Sequence, residues 1–316
     1  MRRRAIVLAA ALCAAAGVQA QGAAPLRLIV GYTAGGPVDA AARQFAPALA
    51  KELGQPVLVE NRPGANGTLG GDLVSKSPPD GLTLWFAASP PLTIGPNVMK
   101  KMPFDPAKDI AAVAPLVSYY NVLVMNKELP PQNLKELIAY AKAHPGKVAF
   151  GSAGIGSSNH LSGELFAERS GTQMLHVPYK GNAPAMTDVI GGQLTMMFDI
   201  ISTARTFISS GRVRAVAVTS PRRSPSLPDV PTMSEAGLPG YEVGGWYALY
   251  GPKGLPTATA QKLADATKRA LAQPELARTF ADQGYEPWAG GADQVAQRAA
   301  SERALWATVT KGITID

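Results

Sequence analysis

The stretch Val148-Ala149-Phe150-Gly151-Ser152-Ala153-Gly154-Ile155-Gly156-Ser157-Ser158-Asn159-His160-Leu161 decides the reading of this chain. Its apolar opening predicts a buried strand, its glycines a turn, and its serines the cap of a helix. Glycine lets a backbone approach a ligand without interference from Cβ, and Ser157 or Ser158 can cap a helix whose first N–H groups have no internal partner. Such a helix start favours a carboxylate or phosphate. No acidic residue precedes Glu164 in this helix to occupy its positive end. The segment therefore reads as an anion cradle built from backbone amides.

Two other motifs are close to it and fail. Gly154-Ile155-Gly156 begins a dinucleotide fingerprint, but Asn159 stands where the third glycine belongs, and Gly171-Thr172-Gln173 replaces the acidic residue that would hold a ribose. Neither Ser152 nor Ser157 has a glycine two residues away on each side, as a hydrolase nucleophile elbow requires. A tight strand-to-helix turn without a ligand is the plain alternative.

Outward from this segment, strand-like runs (26–31, 57–60, 82–87, 122–125, 147–150, 176–178, 195–198, 212–218) alternate with helical patterns (38–53, 134–143, 161–170, 183–190). Alternation of this kind predicts an α/β fold with parallel sheets covered on both faces, and ligands beyond the carboxyl ends of the strands. Strands at Val122 to Met125 and Gly245 to Tyr250 are expected to cross between two domains. One domain then takes residues 21–121 and 246–316, the other 122–245. The tail from Thr257 to Val309 reads as helical and structural.

Met1-Arg2-Arg3-Arg4, the apolar run Ala5 to Val18 and Val18-Gln19-Ala20 form a secretory signal, residues 1–20, which predicts a periplasmic protein. The run is too short for a comfortable membrane span. Cys13, the one cysteine, falls within it, so disulfide and thiolate chemistry are excluded from the mature chain. Losing three arginines reduces the formal charge from +7 to +4, a mildly basic balance that does not imply nucleic acid.

A second strand, glycine turn and helix start occurs at Gly31-Tyr32-Thr33-Ala34-Gly35-Gly36-Pro37-Val38-Asp39, with Pro37 suited to the first helical turn. Two such turns, one per domain, suggest a cleft. The amides of Ala34, Gly35 and Gly36 are the expected contacts, Asp39 is assigned to the turn itself, and Tyr32 is either an aromatic wall with a hydroxyl donor or plain packing.

The segments VGYTAGGPVDAAAR (30–43), VENRPGANGTLGGDLVSKSPPDGLTLW (59–85), GSAGIGSSNHLSGELF (151–166), HVPYKGNAPAMTDVIGGQLTMMFD (176–199), GRVRAVAVTSPRRSPSLPDVPTMSEAGLPGYE (211–242) and GWYALYGPKGLP (245–256) resemble the Bug-type periplasmic receptors of tripartite tricarboxylate transport systems. The resemblance spans nearly the whole mature chain, in order. It implies a two-lobed periplasmic-binding-protein fold of type II, with a ligand cleft between the lobes in which amides, hydroxyls and ordered waters hold a carboxylate. It places the ligand loops on Tyr32 to Gly36 and on Gly151 to His160, with Gly151, Ser152, Ser157, Ser158 and His160 among the candidates. Ser89 lines the cleft and Asp199 ends a strand facing it. The implied partners are a small organic acid and the membrane subunits of a transporter, and the receptor is expected to act as a monomer.

Single residues keep two readings. His160 either donates to a carboxylate or supports the turn. Asp199 either accepts from a ligand hydroxyl or amine, or orients neighbouring hydroxyls, and it selects against a second carboxylate placed close by. Lys180 attracts an anion or is solvated, and Arg62 ties a loop. The three histidines have no metal-ligand spacing. No cofactor motif or activated nucleophile is present, so the chain is expected not to be an enzyme. A hydrolase using His160 and Asp199, and a sensory partner of a membrane kinase, are the alternatives.

Overall fold

The computed structural model describes residues 24–310, so the signal segment assigned to residues 1–20 lies outside the described residues. The elements in chain order are β1 (Leu26–Val30), α1 (Pro37–Leu53), β2 (Val57–Asn61), a 3-10 turn (Ala65–Gly67), α2 (Thr68–Ser75), β3 (Thr83–Ala88), α3 (Pro90–Thr93), α4 (Gly95–Val98) and β4 (Ile110–Asn126). Then come α5 (Leu134–Ala143), β5 (Val148–Ser152), α6 (Ser158–Ser170), β6 (Met174–Pro178), α7 (Asn182–Ile190), β7 (Met196–Ile200), α8 (Ile201–Ser209) and β8 (Val213–Val218). The chain ends with β9 (Gly244–Pro252), α9 (Thr257–Leu271), α10 (Pro274–Asp282), β10 (Glu286–Pro287) and α11 (Ala292–Val309).

The strands run in the order β2-β1-β3-β9-β4-β7-β5-β6, with β8 and β10 also paired to β4. The expected parallel pairing occurs on both sides: β1 with β2 and β3, and β5 with β6 and β7. The middle of the array is antiparallel instead, because β9 runs against β3 and β4, and β4 against β7 and β8. Each half has core on both faces of its sheet. Phe45, Phe86 and Tyr247 lie on one face of the first half and Trp85 and Trp246 on the other. Phe150 and Phe198 oppose Met186 and Met197 in the second. Burial of this apolar surface is the main favourable term holding each half together.

The strand expected at Val122 to Met125 is the end of a 17-residue strand. Pro115 obscures its first part in the sequence, since proline cannot donate to a sheet ladder and argues against a central strand. It is accommodated at an irregularity, where the register with β9 shifts between Ala112 and Ala114 and again between Pro115 and Val117. β4 pairs with β9 up to Tyr120 and with β7 from Asn121 onward. The return passes from Thr219 through Val243, whose N–H donates to the Thr219 carbonyl at 3.2 Å, into Gly244.

Candidate functional site

The turn after β1 is closed from below. Asp39 accepts from the Gly35 amide at 2.9 Å, from Arg43 Nε at 3.0 Å and from Asn61 Nδ2 at 2.8 Å. Burial alone would raise this carboxyl; hydrogen bonds from Arg43, Gly35 and Asn61 outweigh it and hold the group below its ordinary range. Asp39 is thus part of the turn, and the Gly35 amide is spent on it. The Gly36 amide reaches the Thr33 carbonyl at 3.4 Å. The amides of Ala34, Val38 and Asp39 have no acceptor among the described residues. Tyr32 is buried and donates to the Asn66 carbonyl and to Asn66 Oδ1, at 2.9 and 3.1 Å, so it joins two loops.

The turn after β5 is shaped by two imidazoles. The Gly156 amide donates to His160 Nδ1 at 3.2 Å, which leaves the proton on Nε2, 3.4 Å from Glu164 Oε1. His176 Nε2 lies 2.7 Å from Ser152 Oγ, which accepts from the Gly154 amide, and the two rings pack at 4.1 Å between centroids. Ser157 caps α6, its Oγ accepting from the His160 amide at 3.2 Å, while its own amide donates to the Gly154 carbonyl. His160 and Ser152 therefore support the turn. A Cβ on Gly151 would press on Ala185 at 3.1 Å, so this glycine answers to packing. The amides of Ser158 and Asn159, the first of α6, have no acceptor among the described residues.

The two turns meet across the gap between the halves. A Cβ on Gly181 would strike Thr33 Oγ1, and one on Gly154 would lie 3.9 Å from Asn66. At the floor, the Tyr119 hydroxyl lies beside those of Ser158 and Ser89. Burial pushes this phenol up to about 12, their hydrogen bonding offsets only part of that, and it stays neutral. Ser89 Oγ also accepts from the Trp246 amide at 3.3 Å, and a Cβ on Gly245 would lie 2.9 Å from it. Ser89 and Ser158 thus converge, and Tyr119, which the sequence reading did not single out, joins them.

Asp199 is fully engaged. Asn182 Nδ2, the Ile200 amide at 2.8 Å and Thr203 Oγ1 at 2.8 Å all donate to it, and burial pushes it up to about 6 despite them. It orients its neighbours. Asn66 was also missed: it and Ala65 hold positive φ, 52° and 47°, on the wall of a cavity of about 240 Å³ between the halves. The glycines flanking the pair, Gly64 and Gly67, were the available signal.

Residues 41–315 match the tripartite tricarboxylate transporter family receptor, TctC. The chain belongs to this receptor family. The periplasmic binding protein BugD is 34% identical, with a TM-score of 0.88 over 92% of this chain and 97% of its own. MatC from Rhodopseudomonas palustris, solved with bound malate, is 33% identical with a TM-score of 0.86 over 90% and 98% of the two chains. Another R. palustris protein, solved with adipate, is 32% identical with a TM-score of 0.88 over 91% and 96%. The fold is therefore that of a two-lobed periplasmic binding protein, and the family consists of periplasmic solute-binding receptors, not enzymes. Among the described residues no His, Cys, Asp and Glu cluster suited to a metal occurs, and no helix is long and apolar enough to cross a membrane.

The receptor's second turn carries a pH dependence of defined sign. Burial lowers His176 to about 4, the nearby His160 adds to this, and Glu164 opposes it. A histidine depressed below its ordinary 6.5 contributes stability that is complete above that value and lost as the pH falls toward 4. Asp199 acts oppositely: its raised pKa makes its ionisation costly, and that cost is relieved as the pH falls below about 6. The stability difference between wild type and His176→Asn should therefore shrink by on the order of 2–3 kcal/mol between pH 7 and pH 4. Urea unfolding of both proteins across that range checks it, and a pH-independent difference would remove His176 from the linkage.

Proposed function

We propose that this receptor captures a small organic carboxylate between its two lobes and delivers it to the membrane subunits of a tripartite tricarboxylate-type transporter. The observation that carries the reading is the convergence of free donors from both lobes. Unpaired amides of Ala34, Val38 and Asp39 lie on one side and those of Ser158 and Asn159 on the other, with the Tyr119, Ser89 and Ser158 hydroxyls at the floor. Val38 and Asp39 on one side, and Ser158 and Asn159 on the other, begin helices, where partial positive charge favours an anion. Asp39 and Asp199, two acidic groups beside these turns, are already enclosed by donors of their own. The related receptors solved with malate and adipate support a carboxylic acid as the ligand class.

Capture requires the lobes to move as two bodies, 21–121 with 246–316 and 122–245. The hinge strands are pinned by Thr219, whose Oγ1 accepts from the Asn121 amide at 2.9 Å and donates to the Val243 carbonyl at 2.6 Å. Residues 1–20 direct export and are removed, and the mature receptor acts as a monomer. Native mass spectrometry of the purified protein should find a co-purified organic acid. After its removal by unfolding and refolding, adding the acid back should reduce the radius of gyration measured by X-ray scattering. An unchanged radius at saturation, from an open starting state, would sink the clamp.

A further inference from the structure

Between the lobes, beyond the hydroxyl floor, lies the cavity of about 240 Å³ that none of the amide contacts accounts for. Val98 and Met99 from one lobe and Ile155 and Pro178 from the other supply apolar walls, and Asn66 and Lys180 supply polar ones. Lys180 is the one charged residue lining it, and it is exposed, with no hydrogen bond or ion pair among the described residues. The cavity adjoins the carboxylate cradle directly, since Gly154 and Ile155 belong to the glycine turn that leads into Ser158.

A second, independent feature marks the same wall. Two successive residues other than glycine, Ala65 and Asn66, hold left-handed backbone angles there. Such conformations persist where the surroundings impose them and cluster at ligand clamps. The imposing contact is the buried Tyr32 hydroxyl on Asn66, which takes its carbonyl and Oδ1 and leaves Nδ2 as a donor.

Resting on the carboxylate reading above, we propose that Lys180 and the apolar cavity form a distal subsite, which takes the methylene chain and second carboxylate of an extended α,ω-diacid. The first carboxylate occupies the amides and hydroxyls at the floor. The chain lies against Val98, Met99 and Ile155, where a hydroxylated or branched acid would leave polar groups without partners. The far carboxylate meets Lys180 at the mouth.

The test is titration calorimetry on refolded protein at low salt with adipate and with hexanoate, which has the same length but one carboxylate. Adipate should bind more tightly by about threefold to fivefold, the upper part of the range for an exposed ion pair, and 0.5 M salt should reduce the preference. Lys180→Met keeps the aliphatic stem; it should bring adipate to the affinity of hexanoate and leave hexanoate unchanged, and Lys180→Arg should retain the preference. Equal binding of the two acids by wild type, or an adipate preference that survives in Lys180→Met, would overturn the distal subsite alone. Failure of wild type to bind either acid would likewise overturn the distal subsite, whereas the carboxylate reading beneath it falls only if the protein also carries and binds no co-purified organic acid.

Discussion

Ser158→Pro is expected to weaken carboxylate binding by about 150-fold or more while leaving the melting temperature within a few degrees of wild type. Ser158 is the first residue of α6, a position where proline is at home because its missing N–H has no intrahelical acceptor. The preceding Ser157 has φ −73° and ψ 160°, the extended conformation that a residue before proline prefers. Folding should therefore tolerate the change, whereas a ligand loses the amide and the hydroxyl together. Each hydrogen bond to a charged group is worth about 1.5–3 kcal/mol, so losing one costs about tenfold to 150-fold, and losing both costs about 150-fold or more. Ser158→Ala, which keeps the amide, should lose about tenfold. Calorimetry with adipate or the co-purified acid decides, and near-normal affinity of a folded Ser158→Pro would remove this helix start from the site. Proline at Ser157 would be a poorer probe, because that amide already donates to the Gly154 carbonyl and Gly156 before it sits at φ 78°.

Both glycine turns were legible because each is a local device. An apolar strand, a glycine that frees the backbone and a capping residue follow one another within about a dozen positions, so no tertiary knowledge is needed to place them. Their internal economy was not legible. Whether His160 points at a ligand or at its own turn depends on which atom the Gly156 amide finds, and it finds Nδ1. The Gly35 amide is drawn to Asp39, four residues on, so a glycine in a cradle is not by itself a free donor. Tyr119 was invisible for a different reason: it belongs to a strand disguised by Pro115, and its meeting with Ser89 and Ser158 joins residues far apart in sequence. Asn66 needed positive φ on a residue that is not glycine, which the sequence suggests only through its glycine neighbours.

Gly31→Ala should cost about 3 kcal/mol of stability, lower the melting temperature by roughly 5–10 °C and weaken ligand binding with it. An added Cβ would lie 2.6 Å from Gly67 Cα and 2.9 Å from the Gly67 carbonyl carbon. These are backbone atoms, so no side chain can rotate away; the end of β1 and the 3-10 turn must separate. That separation would pull Tyr32 from Asn66, the pair that joins the first ligand turn to the cavity wall. Gly36→Ala is the control. Gly36 has φ −80°, and its added Cβ would meet only the Thr33 carbonyl oxygen, at 3.4 Å, so alanine should fit with little change. Denaturant melts of both variants test the contrast. A Gly31→Ala protein within 1 kcal/mol of wild type would mean that these backbones yield easily, and that the Tyr32 to Asn66 clamp is held by something other than their close approach.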